Sequence, residues 1–224
     1  MVYLGGKTRL GAKIAWVLKQ LREGRDYVEP FVGAAGVTVH IPGARAAGDA
    51  DPDIIALWQA AQQGWVPPTT LSEAEYQDLK RNCQAPAHLR AFAKYACSWG
   101  GKPWGGYARG NREYARLGSV SVVRKAALLQ GCQFHCQSYA DWYPENALVY
   151  CDPPYKGVTG YSRAFDHVAF WDVVRSWSAG RNNVVVVSEY KAPDDFEDIA
   201  EFPLLNKLNG TAPIERLFVR RGFR

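Results

Sequence analysis

The apolar run Ala147-Leu148-Val149-Tyr150-Cys151 ends on Asp152-Pro153-Pro154-Tyr155, which sets a carboxylate at a strand's end beside a stiff turn and an aromatic ring. Neither proline has a backbone N–H and each has a fixed φ, so the turn offers carbonyl acceptors and no competing donors around Asp152. Such a pocket suits an exocyclic amine. The amino group of a nucleobase is a poor nucleophile because its lone pair is delocalised into the ring. Two acceptors gripping its hydrogens localise that pair outward, and Tyr155 is placed to stack on the flat face of the base. Alone, these four residues also fit a plain strand-to-loop turn with a buried acid.

A second group of residues suits a nucleotide. Asp26-Tyr27-Val28-Glu29 reads as a short buried strand running into Pro30-Phe31-Val32-Gly33-Ala34-Ala35-Gly36, a small-residue loop before a helical turn. Strand, glycine loop and helix is a nucleotide-cradling order. Gly33 and Gly36 are explained by close approach of a ligand, and equally by a tight strand-to-helix connection. A second strand ends at Gly48-Asp49, and an acid at the end of that strand is placed to accept hydrogen bonds from both hydroxyls of a ribose. Asp51 and Asp53 are better placed than Asp49 to face a helix N-terminus. Cys132, His135 and Cys136 are too closely spaced for the usual paired metal ligands, no second pair follows, and no metal site is expected.

Between Trp99 and Gly131 the chain carries Lys102, Arg109, Arg112, Arg116, Arg124 and Lys125 against Glu113 alone, interleaved with Trp99, Trp104, Tyr107 and Tyr114. That mixture suits a phosphate backbone and unstacked bases. A solvated loop whose aromatics fold back onto the core has the same composition.

The elements that must position these groups alternate. Leu10, Ile14, Val17, Leu18 and Leu21 recur at helical spacing over residues 8–21, with Thr8 as N-cap. Asp51-Pro52 opens a helix with apolar face Ile54, Ile55, Leu57, Trp58 and Ala61. The βαβα order predicts a parallel sheet covered by helices. Residues 64–70 break regular structure, and Ser72 with Glu75 forms a capping box. An inserted subdomain is placed from there, with a helix over 86–97, a glycine-rich basic loop over 99–118, and a helix over 121–130 closed by Gly131. The core resumes with strands over 133–137 and before Asp152, a helix over 166–179 stopped by Gly180, and a buried central strand over 184–188. Runs 202–208 and 214–220, separated by Asn209-Gly210-Thr211-Ala212-Pro213, predict a terminal antiparallel hairpin. The expected division is a catalytic domain of residues 1–66 and 132–224, interrupted by a small, mainly helical recognition insert of residues 67–131.

The 224 residues suffice for one full core and an insertion. The net charge of +5 is moderate. No apolar stretch reaches bilayer length and residues 1–7 lack the order of a secretory signal, so a soluble, cytoplasmic protein without membrane contact is expected. Five cysteines without framework spacing predict thiols in a reducing compartment.

Tyr3-Leu4-Gly5-Gly6-Lys7, Glu29-Pro30-Phe31-Val32-Gly33-Ala34-Ala35-Gly36, Gly48-Asp49-Ala50-Asp51, Ser138-Tyr139-Ala140-Asp141 and Asp152-Pro153-Pro154-Tyr155 occur in this order, and together they resemble the Dam-type (D12 class) N6-adenine DNA methyltransferases over most of the chain. The resemblance implies an α/β, Rossmann-like S-adenosylmethionine-dependent methyltransferase fold, with S-adenosylmethionine as cofactor and double-stranded DNA as partner. It implies a monomer in solution, in a prokaryotic or phage-infected cell. Tyr3, Lys7, Phe31, Gly33 and Gly36 would contact the cofactor, Asp49 its ribose, and the segment around Tyr139 its adenine. Asp152 would be catalytic and also border the cofactor. Asp152 and the Pro153 carbonyl would accept from the N6 amine, with Pro154 and Tyr155 completing the catalytic turn. The 98–107 segment looks like the family's DNA-facing loop. Within it and after it, Arg109 and Arg112 are candidates for a guanine edge, while Lys102 and Arg116 can equally hold phosphates. Lys156-Gly157-Val158-Thr159-Gly160-Tyr161 reads either as a flap over the flipped base or as a surface loop. Asn209-Gly210-Thr211 with Glu215-Arg216 resembles the family's final hairpin.

The same amine chemistry would serve cytosine N4 or an RNA base. A binding protein that keeps the fold without catalysis is disfavoured by the intact Asp152 to Tyr155 motif. A dinucleotide-dependent oxidoreductase is disfavoured because Phe31 stands where the first fingerprint glycine would be.

Overall fold

The computed structural model describes residues 3, 5–110, 112–155, 165–203 and 214–222. Helix α1 (Gly11–Arg22) starts two residues later than a Thr8 cap would have it, and its N-cap, Leu10, makes no side-chain capping bond. The first turn is held instead by the Lys7 carbonyl, which accepts from the N–H groups of Leu10 and Gly11. Gly11 is pressed against the glycine loop so closely that a Cβ there would lie 1.9 Å from the Gly36 carbonyl oxygen. A tertiary contact therefore sets this helix start.

Strand β1 (Asp26–Glu29) matches its prediction, and the helical turn expected after the small-residue loop is a single 3-10 turn, Thr38–His40. Ile41 is extended, as a residue before proline must be, so the turn cannot propagate. Strand β2 (Arg45–Asp49) leads into α2 (Pro52–Gln62), capped by the Asp51 carboxylate accepting from the Asp53 N–H at 3.1 Å. Ile54, Ile55, Leu57, Trp58 and Ala61 are all buried, as the spacing required.

Helix α3 (Glu73–Arg81) carries the Ser72–Glu75 capping box, and α4 (Ala87–Ala91) continues into a π-helical turn, Phe92–Ala96. Helix α5 (Tyr114–Leu128) begins seven residues before Ser121, so the basic loop is shorter than predicted. Gly118 belongs to the helix: a Cβ there would sit 2.8 Å from that of Ala96, and the glycine serves close helix packing rather than a loop. Gly131, with φ +75°, closes the segment.

After β3 (Cys132–Cys136) and β4 (Ala147–Cys151), helix α6 (His167–Ser178) starts on Asp166, which accepts from the N–H groups of Val168 and Ala169 at 3.0 Å. Strand β5 (Val184–Glu189) is buried throughout. The final pair is β6 (Phe196–Pro203) and β7 (Ile214–Arg220). The terminal antiparallel pairing is as expected, but its first strand lies earlier than the apolar run 202–208. Strand β6 is a sheet edge with mostly exposed side chains, so its polar sequence hides it from an apolar-run search. Residues 204–213, including Asn209-Gly210-Thr211, lie outside the described residues.

The seven strands form one sheet in the order β3-β2-β1-β4-β5-β7-β6, with β1 to β5 parallel and β7 antiparallel to both neighbours. This is a Rossmann-like sheet with a terminal antiparallel pair, as the motifs implied. Strand β4 alternates cleanly: Leu148 and Tyr150 pack with α1, while Val149 and Cys151 pack with α6. Beside them, α2, α3, α4 with its π-helical turn, α5, and Cys132 and Phe134 of β3 share one hydrophobic cluster. The helices of residues 73–128 thus share the core packed on the sheet rather than having one of their own. Among the described residues no helix is long and apolar enough to cross a membrane.

Candidate active site

The sheet's order reverses between β1 and β4, and a doubly wound sheet opens a cleft at the carboxyl ends of its strands at such a point. Gly33 follows β1, Asp49 ends β2, Tyr139 follows β3 and Asp152 follows β4, so all four reach that cleft. They line one cavity of about 1010 Å³, together with the N-terminal segment. The sequence motifs are separated by as much as 145 residues and meet here.

At one end stands Asp152. Its Oδ1 accepts from Lys7 Nζ at 2.7 Å, and the same ammonium lies 3.4 Å from Glu215 Oε1. Lys7 Nζ also sits 4.6 Å from the centroid of the Tyr155 ring. Tyr155 donates its hydroxyl to Glu215 and meets Tyr190 edge-on at 4.8 Å. Burial pushes the Asp152 carboxyl above its ordinary range; Lys7 opposes this and Glu215 adds to it. The Tyr155 ring is only 8% exposed and has the Lys7 ammonium over one face, so stacking by a base there requires Lys7 to move. Pro154 lines the cavity; Pro153 is buried and is not on its wall.

At the other end, each Asp49 oxygen takes one backbone N–H, from Gly33 at 3.0 Å and from Asp51 at 2.9 Å. A carboxylate has about four acceptor positions, so capacity remains on both oxygens. Burial pushes its pKa up to about 6, against the two N–H groups that lower it. Gly33 has φ +42°, and a Cβ there would meet the Tyr3 ring at 2.9 Å; its carbonyl is tied down by Trp58 Nε1 at 2.8 Å. Gly36 also lines the cavity, but its bare Cα is needed by the backbone of Lys7, 3.1 Å from where a Cβ would be. Tyr3 packs on Tyr95 at 4.6 Å, and the Tyr95 hydroxyl and Lys94 ammonium both donate to Asp51. Phe31 and Tyr139 stack at 5.3 Å, with Phe165 edge-on to the first and tilted against the second, giving an aromatic wall.

The basic insert divides. Arg112 lines the cavity, as do Pro103 and Tyr114. Lys102 is exposed. Arg109 forks onto Glu73, and Arg116 pairs with Glu113 within the start of α5; both pairs are solvent-exposed and therefore weakly held. Lys125 is buried and donates to the Ala34 carbonyl at 2.5 Å, so it braces the glycine loop. Trp104 and Tyr107 fold back onto Tyr76, while Trp99 is 61% exposed. The 156–161 segment lies outside the described residues.

Residue patterns did not single out Tyr190, Phe165 or the Lys94–Tyr95–Asp51 cluster, and they placed Glu215 only in a hairpin. Glu215 had one local signal, an acid at an otherwise apolar position of a strand. An antiparallel strand begins where its parallel neighbours end, and the Arg216–Glu189 register brings Glu215 to the carboxyl edge of the sheet.

No protein-family model matches the chain, and no curated protein matches it. Among solved structures, the rRNA methyltransferase aviRa from Streptomyces viridochromogenes is similar over 93% of this chain and 84% of its own, at 14% identity and a TM-score of 0.41. A putative methylase from Haemophilus influenzae is similar over 93% and 94%, at 13% and 0.37. A putative methyltransferase complexed with SAH is similar over 98% of this chain and 55% of its own, at 12% and 0.38. These are likenesses in the order of strands and helices and assign no substrate.

Proposed function

We propose that the chain is an S-adenosylmethionine-dependent methyltransferase of the Dam type, acting on the N6 amine of an adenine flipped out of duplex DNA. The observation that carries this reading is the single cavity running from Asp49 and Gly33 to Asp152 and Tyr155. A nucleoside-bearing cofactor fits the first end: Asp49 keeps acceptor capacity for a ribose diol, Gly33 leaves the backbone bare, and the Phe31–Tyr139 wall suits a purine. Bound there, the cofactor supplies a methyl group already activated on a sulfonium, so no metal is called for.

The protein's own groups then act on the target amine. Asp152 accepts from the amine and draws its lone pair outward. As the nitrogen gains positive charge, an ionised Asp152 stabilises it more than it stabilised the neutral amine, which is what lowers a barrier. The buried setting strengthens that interaction. Flipping costs about a few kcal/mol, part of which is returned by stacking in the pocket. Arg112 on the cavity lining and the exposed Lys102 favour a polyanionic substrate.

The test is incubation with methyl-labelled S-adenosylmethionine and either duplex DNA or RNA, followed by mass spectrometry of the nucleosides. N6-methyladenine in DNA is expected. Label in N4-methylcytosine or only in RNA would refute the assigned substrate, and no label in either would refute the activity. Asp152→Ala is expected to abolish transfer while S-adenosylhomocysteine binding weakens less.

A further inference from the structure

Lys7, which the resemblance gives to the cofactor, lines the shared cavity with its ammonium at the Asp152 end. Its ammonium is held by Asp152 Oδ1 at 2.7 Å, Gly5 O at 3.3 Å, Glu215 Oε1 at 3.4 Å and the face of Tyr155 at 4.6 Å. Two carboxylates, a carbonyl and a π face make a site for a cationic, hydrogen-rich nitrogen. Lys7 is 8% exposed and Glu215 2%, so the charges meet away from water.

We infer that Lys7 is an internal stand-in for the substrate nitrogen, that the target amine must displace it from Asp152, and that Glu215 is the positioning residue that holds both Lys7 and Tyr155. This rests on the proposed amine-methylating function only for what displaces Lys7; the cation site itself stands on the geometry. The nitrogen undergoing methylation turns cationic while bound to Asp152, so a protein that holds an alkylammonium at that acceptor displays the charge pattern the reaction develops. Lys7 also has a second effect. Its charge lowers the pKa of Asp152 against burial and against Glu215, which raise it, and so favours the ionised acceptor.

The site can be tested without nucleic acid. Lys7→Ala should bind n-propylammonium in place of the missing side chain, and saturating millimolar amine should raise its melting temperature by about 3 °C. Wild type and Lys7→Ala/Asp152→Asn should gain nothing, nor should trimethylpropylammonium, which has no N–H, stabilise Lys7→Ala. Equal gains in all of these would overturn the cation site. Should Lys7→Ala not fold, lysine acylation read by peptide mass spectrometry serves on the wild-type protein. Lys7 should react at least about tenfold more slowly than exposed Lys13, and Asp152→Asn should erase that difference; a fast wild-type Lys7 refutes the site.

Displacement is read by the same acylation with S-adenosylhomocysteine and whichever nucleic acid accepts label. Lys7 should become more reactive; unchanged or greater protection refutes displacement. If no nucleic acid accepts label but amine binding persists, the methyltransferase reading and the displacement claim fall together while the cation site remains. For Glu215 the readout is the acid limb of the pH–rate profile. It should move up by about one pH unit in Lys7→Met and back down in Lys7→Met/Glu215→Gln, a compensation that loss of mere packing would not give.

Discussion

Replacing Asp49 with asparagine isolates the part of the site assigned to the cofactor. Both carboxylate oxygens already accept a backbone N–H, from Gly33 at 3.0 Å and Asp51 at 2.9 Å. An amide offers one acceptor oxygen, and its NH₂ faces one of those N–H groups donor to donor. One charge-assisted bond is lost and the diol-accepting charge with it, a loss of about 1.5–3 kcal/mol per hydrogen bond to a charged group. That corresponds to roughly 10- to 150-fold weaker S-adenosylmethionine binding by titration calorimetry. The pH dependence gives an independent sign. Asp49 titrates at about 6 because burial disfavours its charged form, and a bound ribose diol donates to the ionised form. Binding should therefore pull that pKa down, and wild-type affinity should fall by up to about tenfold per pH unit as pH drops below about 6. Asp49→Asn should show no such slope. A variant that binds within twofold of wild type at neutral pH, or a wild-type affinity flat from pH 7 to pH 5, would refute the ribose assignment.

The same group also acts on folding, with its own sign. A carboxyl raised from 3.8 to about 6 in the folded state makes the fold lose stability as pH rises through that window, by an amount on the order of 3 kcal/mol; in urea denaturation the fall should be steeper in wild type than in Asp49→Asn, where the raised Glu29 and Asp152 carboxyls still contribute. Gly33→Ala meets the Tyr3 ring at 2.9 Å with φ +42° and should cost about 1–2 kcal/mol and weaken cofactor binding, read by denaturation and calorimetry. Trp58→Ala removes a fully buried ring and the donor to the Gly33 carbonyl, a loss of about 3–5 kcal/mol in chemical denaturation. Lys102→Ala should leave stability unchanged and lower the slope of log affinity against log salt by about 1 if Lys102 meets a phosphate; an unchanged slope removes it from the interface.

Elements whose cause is local were legible in the sequence. Asp51-Pro52, the Ser72–Glu75 box and the Asp166 cap each mark a helix start through a side chain satisfying N–H groups a few residues away. The unbroken valines of β5 announce a strand buried on both faces. Elements whose cause is distant were misplaced. Helix α1 begins where Gly11 meets Gly36, and Gly118 lies inside α5, packed on Ala96, where a loop was expected. A glycine looks the same in a sequence whether it turns a loop or lets two helices touch. Strand β6 was hidden because an edge strand exposes side chains that look like a loop's.

The motifs determined which chemistries the chain carries: an acid and an acceptor turn after β4, a glycine loop after β1, an acid after β2. Each is an adjacency along the backbone, which covalent geometry preserves. Tertiary structure alone decided what those groups do to one another. It set Lys7 against Asp152 across 145 residues, brought Glu215 to both through an antiparallel strand, and turned Trp104 and Tyr107 inward while leaving Trp99 in solvent. The protonation and reach of Asp152 depend on burial and on charges a few ångströms away, and those distances exist only once the sheet has closed over its helices.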